Sequence, residues 1–293
     1  MCSFYGSEQP QSSDLSGYEI IKFIKSISDH KPVIHIGGGE PFLRKDIYEI
    51  ISEVKNQDLA LVITTNGYLL NPDKVKKTGV DYIIFSLYGP PDIHNAITGV
   101  HDAYEKVIKN IEALPKENVI VSTTIMPDNI NYLDQLIQDV VTRGVMRIKI
   151  ENLNYITPEE YKTHPFQIND YILKPATFIT SDLCKEEVEK IWKVIENLKA
   201  KYKGKIFLKP NLNKKQFFTW YSGLRRKTYC RFITHSVFID NDGSIIPCQF
   251  LKNCKLGNIT SDELKYIWSS QKFKRLRRLI NTLNLAVCRR CCK

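Results

Sequence analysis

Val33-Ile34-His35-Ile36-Gly37-Gly38-Gly39-Glu40-Pro41 is the stretch whose reading decides the fold. The apolar-rich residues 33–36 predict a buried strand, and the glycines that follow let the backbone turn and approach a ligand closely. Glu40 sets a carboxylate at the mouth of that turn, and Pro41 stops the strand. Leu43, Ile47, Ile50, Ile51 and Val54 then fall on one face at helical spacing. Strand, glycine turn and helix together make a site for a small polar ligand at the carboxyl end of a strand. A Gly-Gly-Glu turn is also ordinary punctuation, so its meaning depends on the rest of the chain.

The same unit recurs. Strands are expected at Leu59–Thr65, Tyr82–Leu87, Val119–Met126 and Val145–Ile150, with amphipathic helices between them. An earlier helix, from Leu15 to about Ser28, carries Ile20, Ile21, Ile24 and Ile27 on one face. Asn71 caps a short helix with Pro72 at its first position. Strand–helix units in succession imply a parallel sheet with helices outside, barrel-like or doubly wound. In either arrangement ligands bind at the carboxyl ends of the strands. Gly38–Glu40, Thr65–Gly67, Ser86 and Thr123–Met126 all lie at or near such ends.

With 293 residues the chain can bury a full core and carry a smaller second domain. Hydrophobic residues at 43% and charged residues at 25% are ordinary for a globular protein. No apolar run approaches the ~18–20 residues of a membrane span, and residues 1–6 lack the pattern of a signal peptide. A cytoplasmic location is expected. The net charge is +10, and Lys272-Phe273-Lys274-Arg275-Leu276-Arg277-Arg278 is the densest basic segment. Apolar residues spaced through that run make its charges a solvated helix face, and no aromatic-plus-basic motif points to nucleic acid.

Beyond Ile150 the pattern changes. Thr157-Pro158-Glu159-Glu160 predicts a capping box, 164–180 reads as loop, and 182–202 as a long helix. Ile206-Phe207-Leu208 fits a last strand of the sheet. The expected organisation is a core over 1–209, a connecting segment over 210–229 and a cysteine-rich domain over 230–293. Eight cysteines are present: Cys2, Cys184, Cys230, Cys248, Cys254, Cys288, Cys291 and Cys292. Clustered cysteines in a reducing compartment indicate metal ligation rather than disulfides. Cys230 and Cys248 flank a hairpin turning at Asn241-Asp242-Gly243, and Cys288-x2-Cys291 closes the chain. These four thiolates suit zinc or an iron–sulfur cluster, and spacing does not separate the two. Cys184 reads as a structural or idle thiol, Cys254 as a core residue and Cys292 as an extra.

The ordered set Gly38-Gly39-Glu40-Pro41, Thr65-Asn66-Gly67, Phe85-Ser86-Leu87-Tyr88-Gly89 and His94-x3-Thr98-Gly99 resembles the radical S-adenosylmethionine (SAM) superfamily. Towards the C-terminus, Cys-x12-Gly-x4-Cys, Gly257-Asn258-Ile259, Ile267-Trp268-Ser269-Ser270 and Cys-x2-Cys resemble its SPASM or twitch type auxiliary domain. The resemblance covers nearly the whole chain. It implies an α/β fold, a TIM-like partial (β/α)6 barrel, with a small cysteine-rich C-terminal domain.

The resemblance also implies that Gly38, Gly39 and Glu40 meet the amino end of SAM, while Thr65, Asn66 and Ser86 face its sulfur or ribose side. His94 is then structural and His35 a packing residue. Cys230, Cys248, Cys288 and Cys291 become ligands of an auxiliary [4Fe–4S] cluster. In the family a reduced [4Fe–4S] cluster, supplied with electrons by a carrier such as flavodoxin or ferredoxin, cleaves SAM. The resulting 5′-deoxyadenosyl radical abstracts hydrogen from a substrate, in SPASM relatives often a peptide or protein side chain. That cluster is held by Cys-x3-Cys-x2-Cys after the first strand, and Cys2 matches only its last cysteine. The first strand and two ligands are therefore expected upstream of Met1, with the second cysteine two residues before it. The competing reading is a non-catalytic iron–sulfur or zinc protein retaining only the C-terminal metal site.

Overall fold

The computed structural model describes residues 14–175, 177–224 and 229–291. Cys2 and Cys292 lie outside the described residues. Two compact units form, one of Gly17–Leu153 with Lys190–Asn211, the other containing 154–189 and 212–291.

The first unit is built on a sheet of six parallel strands: β1 Ile34–Ile36, β2 Leu61–Thr65, β3 Tyr82–Ser86, β4 Val119–Thr124, β5 Ile148–Glu151 and β6 Ile206–Lys209. Spatial order equals chain order, and every neighbouring pair is parallel. A doubly wound sheet reverses its order part-way, whereas this one winds in a single sense, as a barrel does. The sheet is open: among the described residues β1 pairs only with β2, and β6 only with β5.

Helices α1 Gly17–Ile27, α2 Ile47–Asn56, α3 Pro72–Lys76, α4 Pro91–Thr98, α5 Ala103–Ala113 and α6 Leu133–Thr142 alternate with these strands. Ile47, Ile50, Ile51 and Val54 of α2, with Leu133, Leu136, Ile137 and Val140 of α6, are buried. They form a core with Leu61, Ile63, Ile83, Phe85, Val121, Ile148 and Ile150. Each such side chain contributes about 1.5–3 kcal/mol when removed from water.

Several boundaries differ from the sequence reading, each for a local reason. The first strand is shorter than 33–36 and half-buried at best, with Val33 66% exposed, because it is an edge strand. Leu43 is 69% exposed and lies outside the helix. Glu40 instead caps a single tight turn at Pro41–Leu43, Arg44 is extended, and α2 starts only at Ile47.

In the second unit, two short strand pairs use residues from the stretch 164–180 expected as loop: Phe178–Ile179 pairs with Tyr155–Ile156, and Gln167–Ile168 with Tyr171–Ile172. The capping box of Thr157 and Glu160 opens α7 Pro158–Thr163. Residues 154–189, assigned to the core on sequence, cluster with the C-terminal residues because Tyr171 and Leu173 enter the same apolar cluster as Cys254, Phe273 and Leu276. The chain then forms α8 Lys185–Lys201, α9 Lys214–Tyr221 and α10 Arg231–His235. The hairpin of β7 Phe238–Ile239 and β8 Ser244–Ile246 turns at Gly243, whose φ is +80°, and β9 Gly257–Asn258 extends it. Finally come α11 Leu264–Ser269, α12 Gln271–Thr282 and α13 Ala286–Arg289.

Candidate active site and cluster site

The glycine turn and the end of β2 are tied together by Glu40. Its Oε1 accepts from Thr65 Oγ1 at 2.6 Å and from the Phe42 N–H at 3.1 Å, while Oε2 accepts from the Asn66 N–H at 2.7 Å. Burial pushes the Glu40 carboxyl above its usual range, against the pull of these three donors. Thr65 Oγ1 also accepts from the Gly67 N–H at 2.8 Å, and Asn66 Oδ1 from the Tyr68 N–H at 2.9 Å, closing a tight side-chain turn. Gly67 has φ +77° with Phe85 carbon 2.6 Å from where a Cβ would sit, so no other residue fits there.

The other glycines differ in kind. Gly38 has φ +117°, a conformation that by itself favours glycine. A Cβ on Gly39 would meet no heavy atom within 4 Å, and its φ lies outside the left-handed region. Nothing within the chain demands glycine at 39, and the bare backbone leaves room for a ligand.

The face of the sheet opposite the core carries apolar Val62, Ile84 and Ile120 among polar side chains. By register and alternation it carries His35, Thr64, Ser86, Ser122, Thr124, Lys149 and Glu151. Lys149 Nζ pairs with Glu151 Oε2 at 3.3 Å, the side chains 14% and 27% exposed, and Ser122 Oγ donates to the same oxygen at 3.3 Å. His35 is exposed rather than packed, its Nε2 2.8 Å from Thr64 Oγ1, because strand alternation turns it to this face. The sequence reading missed Ser122, Lys149 and Glu151. Their signal was the alternation Ile148-Lys149-Ile150-Glu151, since a parallel strand covered on both faces reads as an unbroken apolar run.

His94 lies on α4, 2% exposed, with its Nδ1 accepting from the Tyr88 N–H at 3.2 Å. It stacks on Tyr88 and meets the edge of Tyr104. Burial pushes its imidazole down to about 4, so it is neutral near pH 7 and structural.

In the second unit, Cys230, Cys248, Cys288 and Cys291 line one cavity with Phe232, Ile233, Phe250, Leu251, Ile280 and Val287. Cys230 precedes α10, and its N–H donates to Asn281 Oδ1 of α12 at 2.7 Å. Burial pushes the Cys248 thiol up to about 12 despite backbone N–H groups of Phe250 and Leu251 reaching its sulfur, with Cys291 and Cys230 adding to the rise. No three described His, Cys, Asp or Glu side chains are gathered as ligands of one metal ion. Four thiols lining one apolar cavity suit zinc or an iron–sulfur cluster. Cys254 is a buried core residue, as expected, and Cys184 is exposed.

Residues 1–140 match the radical SAM superfamily, and residues 230–292 match its iron–sulfur cluster-binding SPASM domain. The chain belongs to the radical SAM superfamily. This radical SAM protein is 25% identical over 285 residues to the tungsten-containing aldehyde ferredoxin oxidoreductase cofactor-modifying protein of Pyrococcus furiosus, covering 86% of the chain and 72% of that relative. Its fold is similar to Streptococcus suis SuiB bound to precursor peptide SuiA, with a TM-score of 0.67 at 14% identity, covering 99% and 67% of the two chains. It is also similar to anSMEcpe with bound AdoMet, with a TM-score of 0.65 at 16% identity, covering 95% and 78%.

Membership makes the protein a radical SAM enzyme that works with SAM and [4Fe–4S] clusters. Its residues fit both groups: Gly39 leaves the open backbone a close ligand needs, and four thiols with N–H donors aimed at Cys248 suit iron–sulfur ligation. No described helix is long and apolar enough to cross a membrane.

Proposed function

We propose that the carboxyl ends of β1, β2 and β3 bind SAM in order to abstract hydrogen from a peptide or protein side chain. The observation that carries this reading is the Glu40 carboxylate joining the ends of β1 and β2 beside an unfilled glycine turn. A carboxylate accepts about four hydrogen bonds, and Phe42, Thr65 and Asn66 use three. The remaining position on Oε2 suits the ammonium of SAM, with Gly38 and Gly39 exposing backbone to its amino-acid end. Asn66 and Ser86 line the next strand ends and orient the ribose and sulfur side.

When bound, the cluster and SAM supply one-electron cleavage and hydrogen abstraction. Cys2 completes its share of the SAM-cleaving cluster, and Cys230, Cys248, Cys288 and Cys291 hold the auxiliary one. The protein's own residues bind, orient and keep water from the reacting face. Support for a peptide substrate comes from SuiB, whose structure is described with a precursor peptide. An electron carrier such as flavodoxin or ferredoxin, and a cytoplasmic setting that keeps these thiols reduced, belong to the same reading.

Equilibrium dialysis of SAM against anaerobically reconstituted protein tests it. Wild type should bind, and Gly39→Val should abolish binding with the fold and midpoint of unfolding unchanged. Equal affinity in the two proteins would make the glycine turn only a turn.

A further inference from the structure

Arg289 and Arg290 separate Cys288 from Cys291, and Arg290 is wholly buried. Its Nη1 reaches Glu160 Oε2 at 2.5 Å, its Nη2 reaches Asp182 Oδ1 at 2.6 Å, and its guanidinium lies 4.3 Å over the Tyr155 ring. Arg289 adds a bond to Glu160 Oε1 at 3.1 Å, and the Arg290 carbonyl accepts from Asn154 Nδ2. Space is reserved for this contact: a Cβ on Gly223 would lie 2.6 Å from Glu160 Oε1 and 2.7 Å from Arg290 Nη2.

Two features separate this arrangement from ordinary helix capping. Glu160 does cap α7 by accepting from the Thr157 N–H at 2.9 Å, yet glutamine caps as well as glutamate. A capping role therefore asks for no charge, whereas a wholly buried guanidinium does. Secondly, a buried ion pair is a poor way to gain stability, because desolvation offsets the attraction. Its value lies in fixing one geometry, and what it fixes here is the turn between two cavity-lining thiols.

We propose that Glu160 is a positioning residue for the C-terminal cluster: through Arg290 it holds the Cys288–Cys291 turn and offsets the positive charge placed beside that group. This rests on reading Cys288 and Cys291 as cluster ligands. Partners that orient metal ligands alter retention and potential as well as shape.

The test uses a Cys2→Ala background, so that iron, sulfide and potential report the C-terminal site. Glu160→Gln should keep its helical content, lose the reconstituted cluster to a chelator about tenfold faster, and shift the midpoint potential positive. The shift follows because an uncompensated guanidinium favours the more negative, reduced cluster. Glu160→Asp should return the potential to the wild-type value. Asp182, 41% exposed, tolerates neutralisation, so Asp182→Asn should shift the potential the same way by less, even if Glu160→Gln does not fold. A loaded wild type with potential and loss rate unchanged in Glu160→Gln or, failing that, Asp182→Asn overturns the clamp alone. A wild type that takes up no iron and sulfide overturns the ligand reading and the clamp with it.

Discussion

Thr65 Oγ1 donates to Glu40 Oε1 at 2.6 Å, so the carboxyl ends of the first two strands are joined by one half-buried carboxylate. Stability and ligand binding should respond to its ionisation with opposite signs. Burial raises the Glu40 pKa above its usual 4.5, so the protonated form is the one the fold favours. Its contribution to stability is full below about pH 4.5 and declines as pH rises through the raised value. Binding of an ammonium needs the carboxylate, so SAM affinity should fall on acidification at a pH above the ordinary glutamate range. In Glu40→Gln both slopes should flatten and SAM affinity should drop about tenfold or more. Urea unfolding and SAM dialysis across pH 4.5–7.5 check this, and parallel slopes would contradict it.

His94 gives a second pH signature. Its imidazole titrates at about 4 in the fold against 6.5 in the unfolded chain, because burial disfavours the cation. The unfolded state therefore takes up the proton first as pH falls. The stability conferred by neutral His94 should be complete above pH 6.5 and be lost between there and pH 4, about 3 kcal/mol in all. Replacement by glutamine should remove that part of the slope, measurable as the difference in urea midpoint between the two proteins from pH 4 to 7.

The ion pair of Lys149 and Glu151 predicts an asymmetry. Glu151→Gln leaves a largely buried ammonium without its partner and should cost about 1–3 kcal/mol. Lys149→Met combined with Glu151→Gln should recover much of that loss. A double-mutant cycle in urea gives the coupling, and strictly additive single effects would show the pair to be idle.

The sequence carried the fold because strand and helix periods repeat cleanly from Ile34 to Ile150, and the chosen ligand loops fall at strand ends. Open versus closed sheet was not legible, since pairing of an edge strand depends on neighbours far along the chain. Leu43 misled because helical spacing cannot reveal that Glu40 and Pro41 close a separate turn first. His35 misled because a three-residue strand carries too little alternation to assign its faces. Glu160 was read correctly as a cap. Its second role needed Arg290, 130 residues away in sequence, which only tertiary structure brings near.

Iron and acid-labile sulfide counted per chain after anaerobic reconstitution decide whether the four C-terminal thiols hold an iron–sulfur cluster. Iron and sulfide should bind together with a brown absorbance near about 400 nm. Both should fall when Cys230, Cys248, Cys288 or Cys291 is replaced by alanine. A colourless C-terminal site holding one zinc and no sulfide would make these thiols a zinc site instead.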